Sequence, residues 1–60
     1  MSDTLICRFQ KDDDPKSTIE YVTDSNLNIR KKICDSQGGD DYVVGLADVP
    51  SDIPGYTRIN

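Results

Sequence analysis

The sequence predicts an all-β fold of five short antiparallel strands, arranged as a meander or as a small, SH3-like, partly open barrel. Apolar residues alternate with polar residues over several short segments, which is the period of a half-buried strand. Clusters of Asp, Ser, Asn, Gly and Pro separate these segments, as is typical of turns. Because the chain has only 60 residues, we expect one small domain over 1–60.

The first two predicted strands form a hairpin. In the segment 4–10, TLICRFQ, every second residue from Leu5 to Phe9 is apolar. The alternation returns in the segment 18–23, TIEYVT, which is also rich in β-branched residues. Charged residues and a proline fill 11–17 between them, which predicts a solvated connection.

The segment LNIRKKIC, which begins at Leu27, fits two structures. On a helix its apolar residues fall on two opposite sides. On a strand Leu27, Ile29 and Ile33 share one face, and only Lys31 is out of place. The strand is therefore favoured. The alternative is an α+β fold of ββαββ type, with a short helix at about 26–34 covering the sheet.

The last part of the chain predicts a second hairpin and a closing strand. Two glycines in 35–40 favour a turn before the apolar segment 42–47. Gly45 inside that segment predicts a sharp bend. Two prolines keep 49–55 extended, and 56–59 forms the closing strand. The predicted core consists of the apolar residues of these strands: Leu5, Phe9, Ile19, Tyr21, Ile29, Val44 and Leu46.

Composition removes most classes of catalytic site. The chain contains no His and only two Cys, which lie 27 positions apart; this excludes the Ser–His–Asp triad and the common zinc ligand sets. The acidic run 12–14 resembles the start of a calcium loop, but Ser17 and Thr23 stand where that loop needs Gly and Glu. We therefore expect a protein that is not an enzyme, with no catalytic residue, no cofactor and no metal site.

Charge and cysteine content limit the location and the partners. Seven Lys and Arg against 11 Asp and Glu give a net charge of -4, the wrong sign for direct contact with nucleic acid. No apolar run is long enough to span a membrane, and the first residues do not resemble an export signal. We expect a cytoplasmic protein in which Cys7 and Cys34 are free thiols and Cys7 belongs to the core.

An uneven distribution of charge predicts a partner-binding site. The span 35–52 holds five acidic residues and no basic one. Such a patch attracts a basic surface, and tyrosines are frequent anchors of protein interfaces. The candidate partner-binding residues are Asp40, Asp41, Tyr42, Asp48, Asp52 and Tyr56.

These features predict a small acidic binding protein that regulates or inhibits a larger, basic macromolecule by protein–protein contact. The target class includes nucleic-acid-binding proteins. Short phage-encoded proteins often act in this way, and a phage protein would work in the host cytoplasm. The alternative is a structural or accessory subunit that joins an assembly through a sheet edge or by self-association as a homo-oligomer.

Overall fold

The protein is one open sheet of five antiparallel strands in this computed structural model, which describes residues 3–60. The strands are β1 (Thr4–Lys11), β2 (Asp14–Thr23), β3 (Ile29–Asp35), β4 (Gly38–Val44) and β5 (Tyr56–Arg58). Their order in the sheet is β4-β3-β2-β1-β5, so β4 and β5 form the two edges. The all-β prediction is confirmed, and the sheet does not close into a barrel. Within the described residues, no helix has the length and apolar character to cross a membrane.

The first hairpin contains a bulge that the sequence did not predict. The chain turns at 12–13, and residues 15–17 then bulge out before regular pairing with β1 resumes. The carboxylate of Asp14 orders the bulge by accepting hydrogen bonds from within it. Pro15 is tolerated here because a bulged residue need not donate to the ladder. The predicted solvated connection over 11–17 is therefore wrong in length, since β2 starts at Asp14.

The loop between β2 and β3 is organised by one aspartate. The Asp24 carboxylate accepts hydrogen bonds from the backbone amides of Asn26 and Asn28, each at 2.9 Å. Leu27 lies between them with a left-handed φ of 65° and a side chain that is 82% exposed. Leu27 thus belongs to the loop and not to the face of the strand. The alternative helix at 26–34 is wrong, because β3 pairs with a strand on each side.

The second hairpin and the closing strand are confirmed. The Asp35 carboxylate accepts a hydrogen bond from the Gln37 amide at 2.8 Å, and Gly38 follows with a φ of 135° that favours glycine. Pairing with β3 extends to this turn, so β4 starts ahead of the predicted segment 42–47. The strand ends just before Gly45, where a short 3-10 turn begins.

The core lies on one face of the sheet. Val49 and Ile53, in the connection from β4 to β5, pack against its buried residues. Leu46, a predicted core residue, is 74% exposed, because the strand that would have pointed it inward has already ended. Leu5, Ile29 and Val44 are only half-buried. The buried residues of the core cluster are Cys7, Phe9, Ile19 and Tyr21.

The two cysteines lie on opposite faces of the sheet. Cys7 pairs with Tyr21 and Cys34 pairs with Thr18, and an odd separation along β2 means opposite faces. Both thiols are free, with Cys7 buried and Cys34 exposed. Burial raises the pKa of Cys7, against a smaller lowering by Arg58.

Candidate partner-binding site

Strand β4 is the long free edge of the sheet. It pairs with β3 along its whole length and with no other strand of the described residues. All of its residues except Val44 are exposed. The opposite edge, β5, is only three residues long. A free edge presents unpaired backbone N–H and C=O groups to other chains.

Three of the predicted site residues lie side by side on β4. Asp40 and Tyr42 are on the same face as the core, and Asp41 is on the other face. The Asp40 carboxylate makes no hydrogen bond or ion pair within residues 3–60. The ring of Tyr42 is half exposed, and its neighbour Val43 is 53% exposed. We call these four residues, Asp40 to Val43, the β4 edge surface.

Tyr42 lies at the end of a cross-strand row in which aromatic and cationic side chains alternate. Register places Tyr21, Lys31 and Tyr42 directly opposite one another on three strands. The Lys31 ammonium lies 5.9 Å from the centre of the Tyr21 ring, which is a cation–π distance. Burial lowers the pKa of Lys31, but interactions with the two tyrosines outweigh it and the net shift is upward. The lysine that was out of place in the strand pattern therefore has aromatic partners.

The other face of the sheet carries a row of alternating charges. Arg8, Glu20, Lys32 and Asp41 are successive cross-strand neighbours. The Arg8 and Glu20 side chains are joined by a hydrogen bond of 2.6 Å. A hydrogen bond to Asp3 raises the pKa of Lys32. The row ends at the sheet edge with the negative charge of Asp41.

Asp41 differs from Asp40 because it has a basic partner inside the protein. The Arg30 guanidinium donates to the Asp41 carboxylate at 2.8 Å and lies 3.8 Å from Asp24. Arg30 and Lys32 of β3 are thus matched by acidic residues of this chain. Asp40 is the acid of the β4 edge surface whose charge is not compensated in this way.

The remaining predicted site residues lie elsewhere. Asp48 closes the 3-10 turn by accepting a hydrogen bond from the Gly45 amide at 3.0 Å, and Asp52 is exposed in the connection that follows. Tyr56 is half-buried against the core on β5. Three strands separate it from β4, so the structure does not place Tyr56 on the β4 edge surface.

Sequence reasoning missed Val43 as a surface residue. Val43 lies in the most apolar segment of the chain, which predicts a buried strand. Its exposure follows from the edge position of β4, and no local signal reports whether a strand is central or at an edge.

Within 3–60 there is no group of three or more His, Cys, Asp or Glu side chains placed to hold a metal ion. The same part of the chain encloses no pocket.

Comparison with known proteins finds no relative. No protein-family model matches the sequence. Neither a curated protein nor a solved structure matches it. The site is therefore interpreted from its own geometry.

Proposed function

We propose that this protein is a small acidic, non-enzymatic binding protein that regulates or inhibits a larger, basic macromolecule by protein–protein contact in the cytoplasm. A nucleic-acid-binding protein is one target of this kind. The observation that carries the proposal is the β4 edge surface, where the uncompensated carboxylate of Asp40 shares one face with the exposed Tyr42, and the exposed Val43 lies on the other face. An acidic group next to an aromatic anchor fits a basic partner.

The distribution of charge over the fold supports a basic partner. Arg8, Arg30 and Lys32 lie 2.6 to 3.1 Å from acidic side chains of the same chain. The chain as a whole carries a net charge of -4. The resulting negative field accelerates encounter with a positive surface and loses range as salt is added.

A second function, that of a structural or accessory subunit, is favoured by the free edge of β4. Such a subunit joins its assembly through backbone hydrogen bonds along the edge, and the acidic residues then serve solubility. The two functions differ in their response to salt. Association with a basic partner slows steeply between low and high ionic strength, whereas edge pairing with an uncharged segment changes little.

A capture experiment with matched charge variants tests the proposal. The immobilised protein is compared with Asp40→Lys and with Asp13→Lys, which changes the net charge equally at a turn where the side chain is 83% exposed. We expect a partner that the wild type and Asp13→Lys retain from native lysate at low salt, and that Asp40→Lys and high salt both release. Retention of the same proteins by Asp40→Lys would contradict the proposal.

A further inference from the structure

We infer that β4 takes up a basic extended segment of the partner as an additional strand of the sheet. The inference rests on the proposed function and adds to it the geometry of the contact and the chemistry of the partner segment. The backbone of β4 supplies the binding edge, and the charges of its side chains identify the occupant.

The edge of β4 is regular enough to accept another strand. The pairing of Gly38–Val44 with β3 has no register shift, and β4 contains no proline. Natural edge strands are usually protected by bulges, prolines, lysines or short length. The edge strand β5 is protected by its short length, and β4 is protected only by the charged side chains of Asp40 and Asp41. The unpaired backbone groups of β4 therefore form a continuous ladder that is open on its outer side.

A second copy of this chain is a poor occupant of that ladder. The antiparallel register that pairs two β4 strands over their whole length sets Asp41 of one copy opposite Asp41 of the other. Like charges directly opposite each other are destabilising. Arg30 offsets the charge of Asp41 only in part, because the same guanidinium also lies near Asp24, and each copy carries a net charge of -4. The aspartates thus act against self-pairing and favour a positively charged strand.

The inner neighbour of β4 shows what kind of strand it accepts. On β3, Arg30, Lys31 and Lys32 lie opposite Val43, Tyr42 and Asp41. This placement combines the ion pair of Arg30 with Asp41 and the alternating aromatic and cationic row through Lys31. A strand of the same character on the outer side meets the same side chains of β4.

The cross-strand rows define the residues of the partner segment. In the added strand, the residue opposite Asp41 is a cation, because it extends the row of alternating charges. The residue opposite Tyr42 is also a cation, because it extends the row of alternating aromatic and cationic side chains. The carboxylate of Asp40 takes a third cation, and Val43 takes an apolar residue. In antiparallel pairing the partner segment reads, from its N-terminus, one apolar residue followed by three consecutive Lys or Arg residues.

A peptide that copies residues 28–33, NIRKKI, is the probe for this contact. Two N-methylated forms of the peptide are compared, one methylated on the odd-numbered backbone amides and the other on the even-numbered ones. Each form therefore has one blocked edge, and the charge of the peptide is unchanged. We expect one form to bind like the unmodified peptide and the other at least about tenfold more weakly, because it loses two or more backbone hydrogen bonds. Amide exchange should slow at alternate residues of β4 when the unmodified peptide binds.

The outcomes separate this inference from the proposed function. Equal binding of both methylated forms would overturn strand addition, while an acidic contact surface sensitive to Asp40→Lys would still stand. Protection of β5 instead of β4, or no binding of the unmodified peptide, would also overturn strand addition. A peptide with Glu in place of its Arg and Lys residues is the control for charge, and we expect it not to bind.

Discussion

A close approach to the backbone of β3 makes Gly39 a sensitive position for substitution. A Cβ atom built on Gly39 lies 2.3 Å from the carbonyl oxygen of Ile33 and 3.4 Å from the Cα of Cys34. These are main-chain atoms of the neighbouring strand, so no side-chain rotation relieves the overlap. Gly39→Ala must separate β4 from β3 near their turn and weaken the hydrogen bonds of that part of the ladder.

Two opposing effects determine how much Gly39→Ala lowers the free energy of unfolding. Forcing extra volume into a packed site costs about 1–3 kcal/mol, and an overlap with fixed backbone belongs at the upper end of that range. Replacing glycine by alanine restricts the unfolded chain and returns about 0.4–1 kcal/mol. We expect a net loss of about 2 kcal/mol, or roughly 8–16 °C in melting temperature for a domain of this size.

Thermal and urea unfolding followed by circular dichroism measure this loss. Gly45→Ala is the matched control, because its Cβ meets only the movable carboxylate of Asp48 at 3.3 Å and its φ of -85° suits any residue. We expect Gly45→Ala to change the stability by less than about 0.5 kcal/mol. An unchanged melting temperature for Gly39→Ala would refute the tight pairing of β3 and β4 at this position.

Three further predictions concern backbone strain, pH and thiol accessibility. Leu27→Asn should raise the melting temperature by a few degrees, because asparagine tolerates the left-handed conformation that leucine adopts at φ 65°; a lower melting temperature would show that the leucine side chain stabilises the loop. The pKa values of Cys7 and Lys31 are raised by folding above their ordinary 9.0 and 10.5. The folded state therefore binds these protons more tightly. The stability that these two groups contribute should be fully present at pH 8 and be lost as the pH rises through 9 and above; a flat profile of melting temperature from pH 8 to 11 would contradict this. With a colorimetric thiol reagent, Cys34 should react at once and Cys7, which is 2% exposed, only as the protein unfolds, whereas two equally fast thiols would contradict the burial of Cys7.

The strands that were predicted correctly are those with a strong local pattern. The alternation from Leu5 to Phe9 and the position of Ile29 and Ile33 report half-buried strands without reference to the rest of the chain. The errors fall where turn chemistry ends or interrupts a pattern. Asp24 draws Leu27 into a loop, and Asp14 organises a bulge, because short acidic side chains compete with regular pairing for backbone amides.

The candidate site was predictable only as far as its residues are neighbours in sequence. Asp40, Asp41 and Tyr42 must lie close together in any fold, and strand β4 keeps them so. Tyr56 was grouped with them on chemical character alone, and it lies at the opposite edge. The uncompensated charge of Asp40 is also a property of the fold, since it depends on which residues Arg30 meets across the sheet.

The acidic charge, the all-β class and the position of most strands follow from the amino-acid sequence alone, because composition and two-residue periodicity are local properties. The order of the strands, and with it which strand has a free edge, is set by the tertiary fold. That order depends on pairing between distant segments, such as β1 with β5, whose free energy is summed over the whole sheet and core. For this reason the exposure of Val43 and the position of the half-buried Lys31 between two tyrosines became visible only in the folded protein.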